Sequence, residues 1–310
     1  MDRKEYRRTP DFLKSLDIVK SFVSDALDGN VNMLKNEDIT LLINRISDRE
    51  RRNLYFGSIA DPDMYYITQA IYILIWGHVF DLTFEKLGSW GKVEHPFRGD
   101  TMNSFNSVFG KEYLIAKRYK VNKNLLKNIE EYLSLYHSIG NFIVIPNKLN
   151  LNRQRANYYT LQDYFDSFLG ALFQYKYQDI ETEYKIFSEV LHSSLIKNTI
   201  FNKIEFKKYI SDFFLESYVE DGKPYNVFDI PLEIRRKEYI GRNRRSRSDF
   251  ITRDEYIDMA SKYYNKSKEI ISYRAECIVE VLKNEIENSW LSSVQDSLYY
   301  LNRLNGSWVK

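Results

Sequence analysis

Tyr136-His137-Ser138-Ile139-Gly140-Asn141-Phe142-Ile143-Val144-Ile145-Pro146, followed by Leu149-Asn150-Leu151-Asn152-Arg153-Gln154-Arg155, is the stretch from which the rest of the chain can be read. Before it, Leu125, Leu126, Ile129, Tyr132, Leu133 and Tyr136 recur at spacings of three and four, which predicts a helix over 124–136. Gly140-Asn141 supplies residues that adopt the left-handed backbone ending a helix. Phe142 to Ile145 is short and rich in β-branched side chains, and Pro146 stops it, so a brief strand is expected there. Asn147, Asn150 and Asn152 favour turns, because their side chains hydrogen-bond the local backbone. The stretch is therefore a break in a helical chain. Its polar groups either satisfy backbone at a corner between two helices, or His137, Asn141, Arg153 and Arg155 converge on a pocket.

Outward from the break, the chain reads as helix after helix. Residues 10–29 carry Phe12, Leu13, Leu16, Ile18, Val19, Phe22 and Val23 before Asp28-Gly29-Asn30, and 37–53 form a highly charged second helix. Asp61 is a candidate N-cap and Pro62 suits a first helical turn. The helix that follows, from Pro62 to about Trp76, is apolar nearly all round and should be central. Residues 83–110 hold Gly88, Gly91, Pro96, Gly99 and Gly110 and are expected to be an irregular, polar connection. Leu161 to Tyr177 is amphipathic, with Asp163 and Asp166 near its N-terminus, where the helix dipole favours them. Further helices are expected at 180–198, 205–219, 252–264, 266–289 and 290–305, with Pro224 and Pro231 marking a connector. The expected fold is mainly α: one multi-helix globular domain over 1–310, with a short β element near 142–145 and an elaborated N-terminal helical part over about 1–58.

Composition agrees with this class. Hydrophobic residues make up 44% and charged residues 28%, ordinary values for a soluble globule. Twelve Gly and six Pro are few for 310 residues, which favours long helices over turn-rich β structure. The aromatic content is high, with 25 Tyr and 19 Phe, and each buried Tyr needs a partner for its hydroxyl. A net charge of +2 creates no global field that would demand nucleic acid or a membrane. The single Cys277 cannot form an intramolecular disulfide and fits a reducing compartment; on a helical pattern it reads as a small packed residue rather than a nucleophile. No signal peptide and no membrane span are read, so a cytoplasmic protein without a membrane partner is expected. The abundance of Lys, Asn, Ile and Tyr resembles the bias of AT-rich bacterial and phage genomes.

The chemistry-bearing motifs are sparse. His78, His95, His137 and His192 include no pair at the i, i+4 spacing of a helical zinc site, and no residue is assigned to a metal. There is no P-loop, no Gly-rich dinucleotide fingerprint and no Gly-x-Ser-x-Gly elbow, so no cofactor is read from the sequence. Glu94-His95-Pro96-Phe97-Arg98-Gly99-Asp100-Thr101-Met102-Asn103-Ser104 is a polar cluster flanked by Gly. Arg235-Arg236-Lys237, Arg242-Asn243-Arg244-Arg245-Ser246-Arg247 and Arg253 place eight cations against Glu238 and Asp249. Guanidinium forks of that kind bind phosphate oxygens in pairs, although a solvated, acid-paired helix end has the same composition.

Two resemblances follow from these residues. Asp61-Pro62-Asp63-x-Tyr65, Tyr72, Leu74-x-Trp76 and Phe80-Asp81-Leu82 resemble the opening of an uncharacterised bacterial family, a domain of unknown function. His137-Ser138-Ile139-Gly140, then Asn152 and Arg155, Asp163-Tyr164-Phe165-Asp166 and Arg242-Asn243-Arg244-Arg245 continue the likeness in the same order across roughly 60–250. That family implies no activity. Glu94-His95-Pro96, Ile139-Gly140-Asn141-Phe142 and Leu149-Asn150 resemble the HNH-type nuclease domain of type IV restriction enzymes, which implies a His that activates water and a divalent metal at the scissile phosphate.

Three functional expectations result. The first is a cytosolic bacterial or phage protein that binds a phosphate-bearing ligand, nucleic acid or nucleotide, of the kind met in phage–host conflict. Its site would use His95, His137 and Asn141 as catalytic candidates, with Arg98, Asp100, Asn103, Asn152, Arg153, Arg155, Arg242, Arg244 and Arg245 binding the ligand. The second is a non-catalytic helical interaction module, a regulator or inhibitor with a protein partner, which should show an exposed aromatic patch. The third is an HNH-like metal-dependent nuclease. The residues leave open whether the protein is an enzyme.

Overall fold

The computed structural model describes residues 2–27, 66–87, 95–103, 123–136, 138–146, 164–177, 204–232, 234 and 252–306. Of these, 70% are helical and 9% lie in strands, so the fold is mainly α. The helices are α1 (Arg3–Tyr6), α2 (Pro10–Leu27), α3 (Tyr66–Phe80), α4 (Lys123–Leu135), α5 (Phe165–Tyr177), α6 (Phe206–Asp212) and α7 (Arg253–Gly306). The strands are β1 (Phe97–Thr101), β2 (Phe142–Pro146), β3 (Val219–Glu220) and β4 (Lys223–Pro224). No helix among the described residues is long and apolar enough to cross a membrane. The expected helices at 37–53 and 180–198, and the cap at Asp61, lie outside the described residues.

α3 is central, as its all-round apolar pattern requires. Ala70 through Gly77 are buried without interruption, and α1, α2 and α7 lie against it. Its end differs from the expected one. The helix passes Trp76 and runs to Phe80, and the chain then turns at Asp81, whose φ is +51°, while Leu82 N donates to Gly77 O. Gly77 is there for space: a Cβ at this position would stand 2.1 Å from Tyr6 Oη. The hollow it leaves receives the Tyr6 ring, whose hydroxyl donates to Leu82 O at 2.5 Å.

The opening stretch departs from expectation at one residue. Ile139–Asn141 form a single 3₁₀ turn, and Gly140 does not adopt a left-handed backbone. Gly140 allows close approach instead. A Cβ there would lie 2.0 Å from Ile271 O and 2.9 Å from Ala275 N, so α7 passes directly over its Cα. β2 forms where the β-branched run predicts it. Its partner, β1, lies within the region expected to be irregular. The two strands pair antiparallel, with Arg98 opposite Ile145, Gly99 opposite Val144 and Asp100 opposite Ile143. β1 includes Gly99 and Asp100, residue types depleted in strands, and buries its polar and apolar positions alike, which is why its sequence does not announce a strand.

The three helices expected after residue 252 are one helix, α7, of 54 residues, about 80 Å at 1.5 Å per residue. No Pro or Gly interrupts it before Gly306. Its buried seam repeats every eleven residues: Ala260, Ile271 and Leu282; Tyr264, Ala275 and Ile286; Ser267 and Ile278. That period, 3.67 residues per turn, keeps one stripe facing the body and is the repeat that goes with a right-handed twist of the seam. Thr252 and Glu255 close its N-terminus reciprocally. Glu255 Oε2 accepts Thr252 N at 2.7 Å, and Glu255 N donates to Thr252 Oγ1 at 3.3 Å.

The helix expected over 205–219 is shorter. α6 ends at Asp212, Phe214 takes φ +56°, and a 3₁₀ turn at Glu216–Tyr218 leads into the β3–β4 hairpin. Asp221 and Gly222, at φ +48° and +79°, make the two-residue turn of that hairpin. Asp166, at the start of α5, is fully buried; its Oδ1 accepts Ser167 N and its Oδ2 accepts Val227 N. One apolar cluster runs through all seven helices, with an aromatic centre at Tyr132, Tyr164, Tyr218, Phe228, Tyr263 and Tyr264.

Candidate functional site

Asn141, the predicted site residue of the opening stretch that falls within the described residues, joins a buried network at the β1–β2 corner in which Asn103 Nδ2 makes no hydrogen bond. Asn141 Oδ1 accepts Asn103 N at 3.0 Å, and Asn141 Nδ2 donates to Asn103 O and Tyr136 O at 3.1 and 2.8 Å. Tyr132 Oη donates to Asn103 O at 2.6 Å, and Tyr218 Oη donates to Asn103 Oδ1 at 3.2 Å. Asn103 and Asn141 are both fully buried. Arg98 and Asp100, side by side with β2, are 4% and 8% exposed, and Asp100 Oδ1 accepts the backbone N of Thr101. His95 Nδ1 donates to Glu85 O at 2.7 Å, at the entry to β1. The structure thus joins Asn103 to Asn141 directly and places Arg98 and Asp100 in the neighbouring strand. His137, Asn152, Arg153, Arg155, Arg242, Arg244 and Arg245 lie outside the described residues.

The corner has a member that the sequence reading did not single out. Arg274, on α7, is fully buried. Its Nε donates to Phe213 O at 3.1 Å, and its Nη1 donates to Phe142 O at 3.2 Å and to Gly140 O. Burial lowers its pKa to about 10, while nearby phenols, Tyr218 foremost, act in the opposite sense. The group stays protonated at neutral pH and ties α6, the 3₁₀ turn and β2 to α7. The signal was available: a cation on the apolar seam, between Ile271 and Ile278. Tyr218 has its phenol pKa raised by burial, so it stays a neutral donor to Asn103.

A groove opens on another face. It has a volume of about 1000 Å³ and lies between α5, α6 and the β3–β4 hairpin. Phe173, Tyr177 and Phe206 supply aromatic walls, Ile210 and Val219 aliphatic ones, and Lys207, Ser211 and Glu216 polar groups. Phe206 meets both Phe173 and Tyr177 edge to face, at 5.0 and 6.4 Å between ring centres. Tyr177 is 44% exposed, one of the large side chains the fold leaves at the surface. Aromatic edges at a half-open groove, with charges of both signs beside it, suit an apolar occupant flanked by polar groups.

The third cluster is ionic. Glu285, on α7, is 4% exposed and is held by Arg3 Nη2 at 3.0 Å, Arg7 Nη2 at 2.5 Å and Arg7 Nε at 2.9 Å. His78, on α3, is partly buried, and burial first, then the charge of Arg3, pushes its pKa down to about 4. Cys277, on α7, is partly buried, and burial is the main reason its thiol is pushed up, which disfavours the thiolate a nucleophile needs. Among the described residues no three His, Cys, Asp or Glu side chains gather closely enough to hold a metal ion.

Compared with protein-family models, with curated proteins and with solved structures, the chain matches none. The likenesses to the uncharacterised bacterial family and to the HNH-type domain rest on their sequence motifs alone.

Proposed function

We propose that the chain is a helical interaction protein whose groove between α5, α6 and the β3–β4 hairpin receives an amphipathic helical segment of a partner protein. The observation that carries this reading is the groove's wall of Phe173, Tyr177, Phe206, Ile210 and Val219. Two helices form its sides, and one aromatic ring, Tyr177, stands exposed at the rim. Its volume is at the top of the range of about 300–1,000 Å³ for enclosed small-molecule sites, and it is half open, which favours a row of side chains over a single small ligand. An apolar stripe at i, i+3, i+4 and i+7 presents such a row. Lys207 and Glu216 give the occupant's polar flanks partners of both signs. Selection from a random displayed-peptide library tests the reading. Enriched peptides should carry that apolar spacing, and Tyr177→Ala or Ser211→Arg should weaken them at least tenfold. Enrichment without the spacing, no enrichment, or indifference to both substitutions would contradict it.

A second reading rests on the basic stretch. Eight cations between Arg235 and Arg253 lead directly into α7, whose first turn is already capped by Thr252 and Glu255, so they are not needed to complete that helix end. In this reading they bind the phosphates of a nucleic acid. Binding to duplex DNA should then weaken with salt, and Arg242→Ala with Arg245→Ala should flatten the slope by roughly two units. An unchanged slope would remove this reading.

A further inference from the structure

We propose that Lys207 and Glu216 set the direction in which a partner helix lies in the groove, by pairing with an acidic residue at one end of its apolar stripe and a basic residue at the other; this rests on the groove being the docking site of such a helix. α6 places the two charges at different ends. Phe206 and Ile210, one turn apart, are buried and form an apolar floor. Lys207 and Ser211 repeat the same spacing one residue further on, along an exposed rim. Lys207 stands in the first turn of α6, next to Phe206, on which the Tyr177 ring packs. Glu216 stands past the other end of the helix, in the 3₁₀ turn, just after Leu215, whose N donates to Ile210 O. α6 has seven residues, about 10 Å at 1.5 Å per residue, which is also the rise from i to i+7 in an occupant helix.

Both charges are available to a partner. Lys207 and Glu216 are exposed, and neither makes an ion pair with another of the described residues. The charges around them are engaged: Lys208 binds Asp212 at 2.7 Å, Tyr177 Oη donates to Glu205 Oε2 at 3.4 Å, and Glu220 faces Lys223 across the β3–β4 hairpin. Asp221, exposed in the hairpin turn beside Gly222 of the groove wall, adds to the negative end. The groove is thus positive at Lys207 and negative at Glu216, with its apolar wall between them. Charges at a rim discriminate between partners more than they add affinity. A helix laid one way meets both ends with opposite charges; turned end for end, it meets both with like charges. Each exposed pair is weak, but turning two pairs from attraction to repulsion is worth on the order of tenfold in affinity.

Peptides selected from a random displayed library, on the full chain and on an exchanged variant carrying Lys207→Glu with Glu216→Lys, read the direction. On the native chain, peptides with the apolar stripe should carry an acidic residue at one end of it and a basic residue at the other, always in the same order. On the exchanged variant the order should be the reverse. A native-selected peptide resynthesised with its two end charges interchanged should bind the native chain about tenfold more weakly than the original at low salt, and this difference should shrink at high salt. On the exchanged variant the interchanged peptide should be the tighter of the two. Striped peptides with end charges in either order, or in the same order on both chains, would overturn the proposal while leaving the groove a docking site. Absence of striped peptides would remove the groove reading and the proposal together.

Discussion

Gly140 shows how one missing methyl decides where two elements meet. Its carbonyl accepts from Arg274, and its Cα lies under the backbone of Ile271 and Ala275. Neither neighbour is a flexible side-chain end, so a Cβ can be accommodated only if α7 moves. Gly140→Ala should cost at least the ~1–3 kcal/mol of an overpacked core site, because the Arg274 bonds stretch with the shift. A denaturant midpoint lowered at constant slope is the expected result, and an unchanged midpoint would mean α7 does not press on the turn. At this scale half the corner was legible. Asn141 stood out as half of a Gly-Asn pair just before an apolar run. Arg274 did not, because a cation in a charged helix looks like solvated surface until the seam on either side is known to be buried.

Elements were legible where one pattern spoke alone. α3 is apolar on every side, and Leu74, 1% exposed, lies in its middle. Leu74→Ala should cost about 2–5 kcal/mol in a denaturant melt by leaving a cavity. β2 was legible from its β-branched run and Pro146. β1 was not, since Gly99 and Asp100 are residue types that strands avoid, and its strand character comes from pairing with β2, with Gly99 opposite Val144. The sequence reading divided α7 at 264–266 and 289–290, though the eleven-residue seam runs through the first of these points. Asn265→Pro distinguishes the two arrangements. In a continuous helix it removes a backbone bond and clashes with the preceding turn, at about 3 kcal/mol or more. Between two helices it would be close to neutral, as Pro is at a first helical position. A large loss in the melt is expected.

At the scale of the molecule, α3 and α7 are the two members on which the rest is assembled. α1, α2 and β2's turn are fastened to them by Tyr6, Glu285 and Arg274. Asp166 of α5 holds Val227 just after the β3–β4 hairpin, Phe173 of α5 packs on Phe206 of α6, and these elements frame the groove. The polar corner is buried, and Asn141 there is bonded to the backbone of Asn103 and Tyr136; the groove, whose walls are common apolar residues scattered over Phe173 to Val219, had no sequence signal of its own. The role proposed for this groove is to receive a partner's helix. The direct measurement is hydrogen exchange of the whole chain with and without a selected amphipathic helical peptide. Slowed exchange confined to α5, α6 and residues 216–224 is the predicted result; slowed exchange elsewhere, with those elements unchanged, would contradict it.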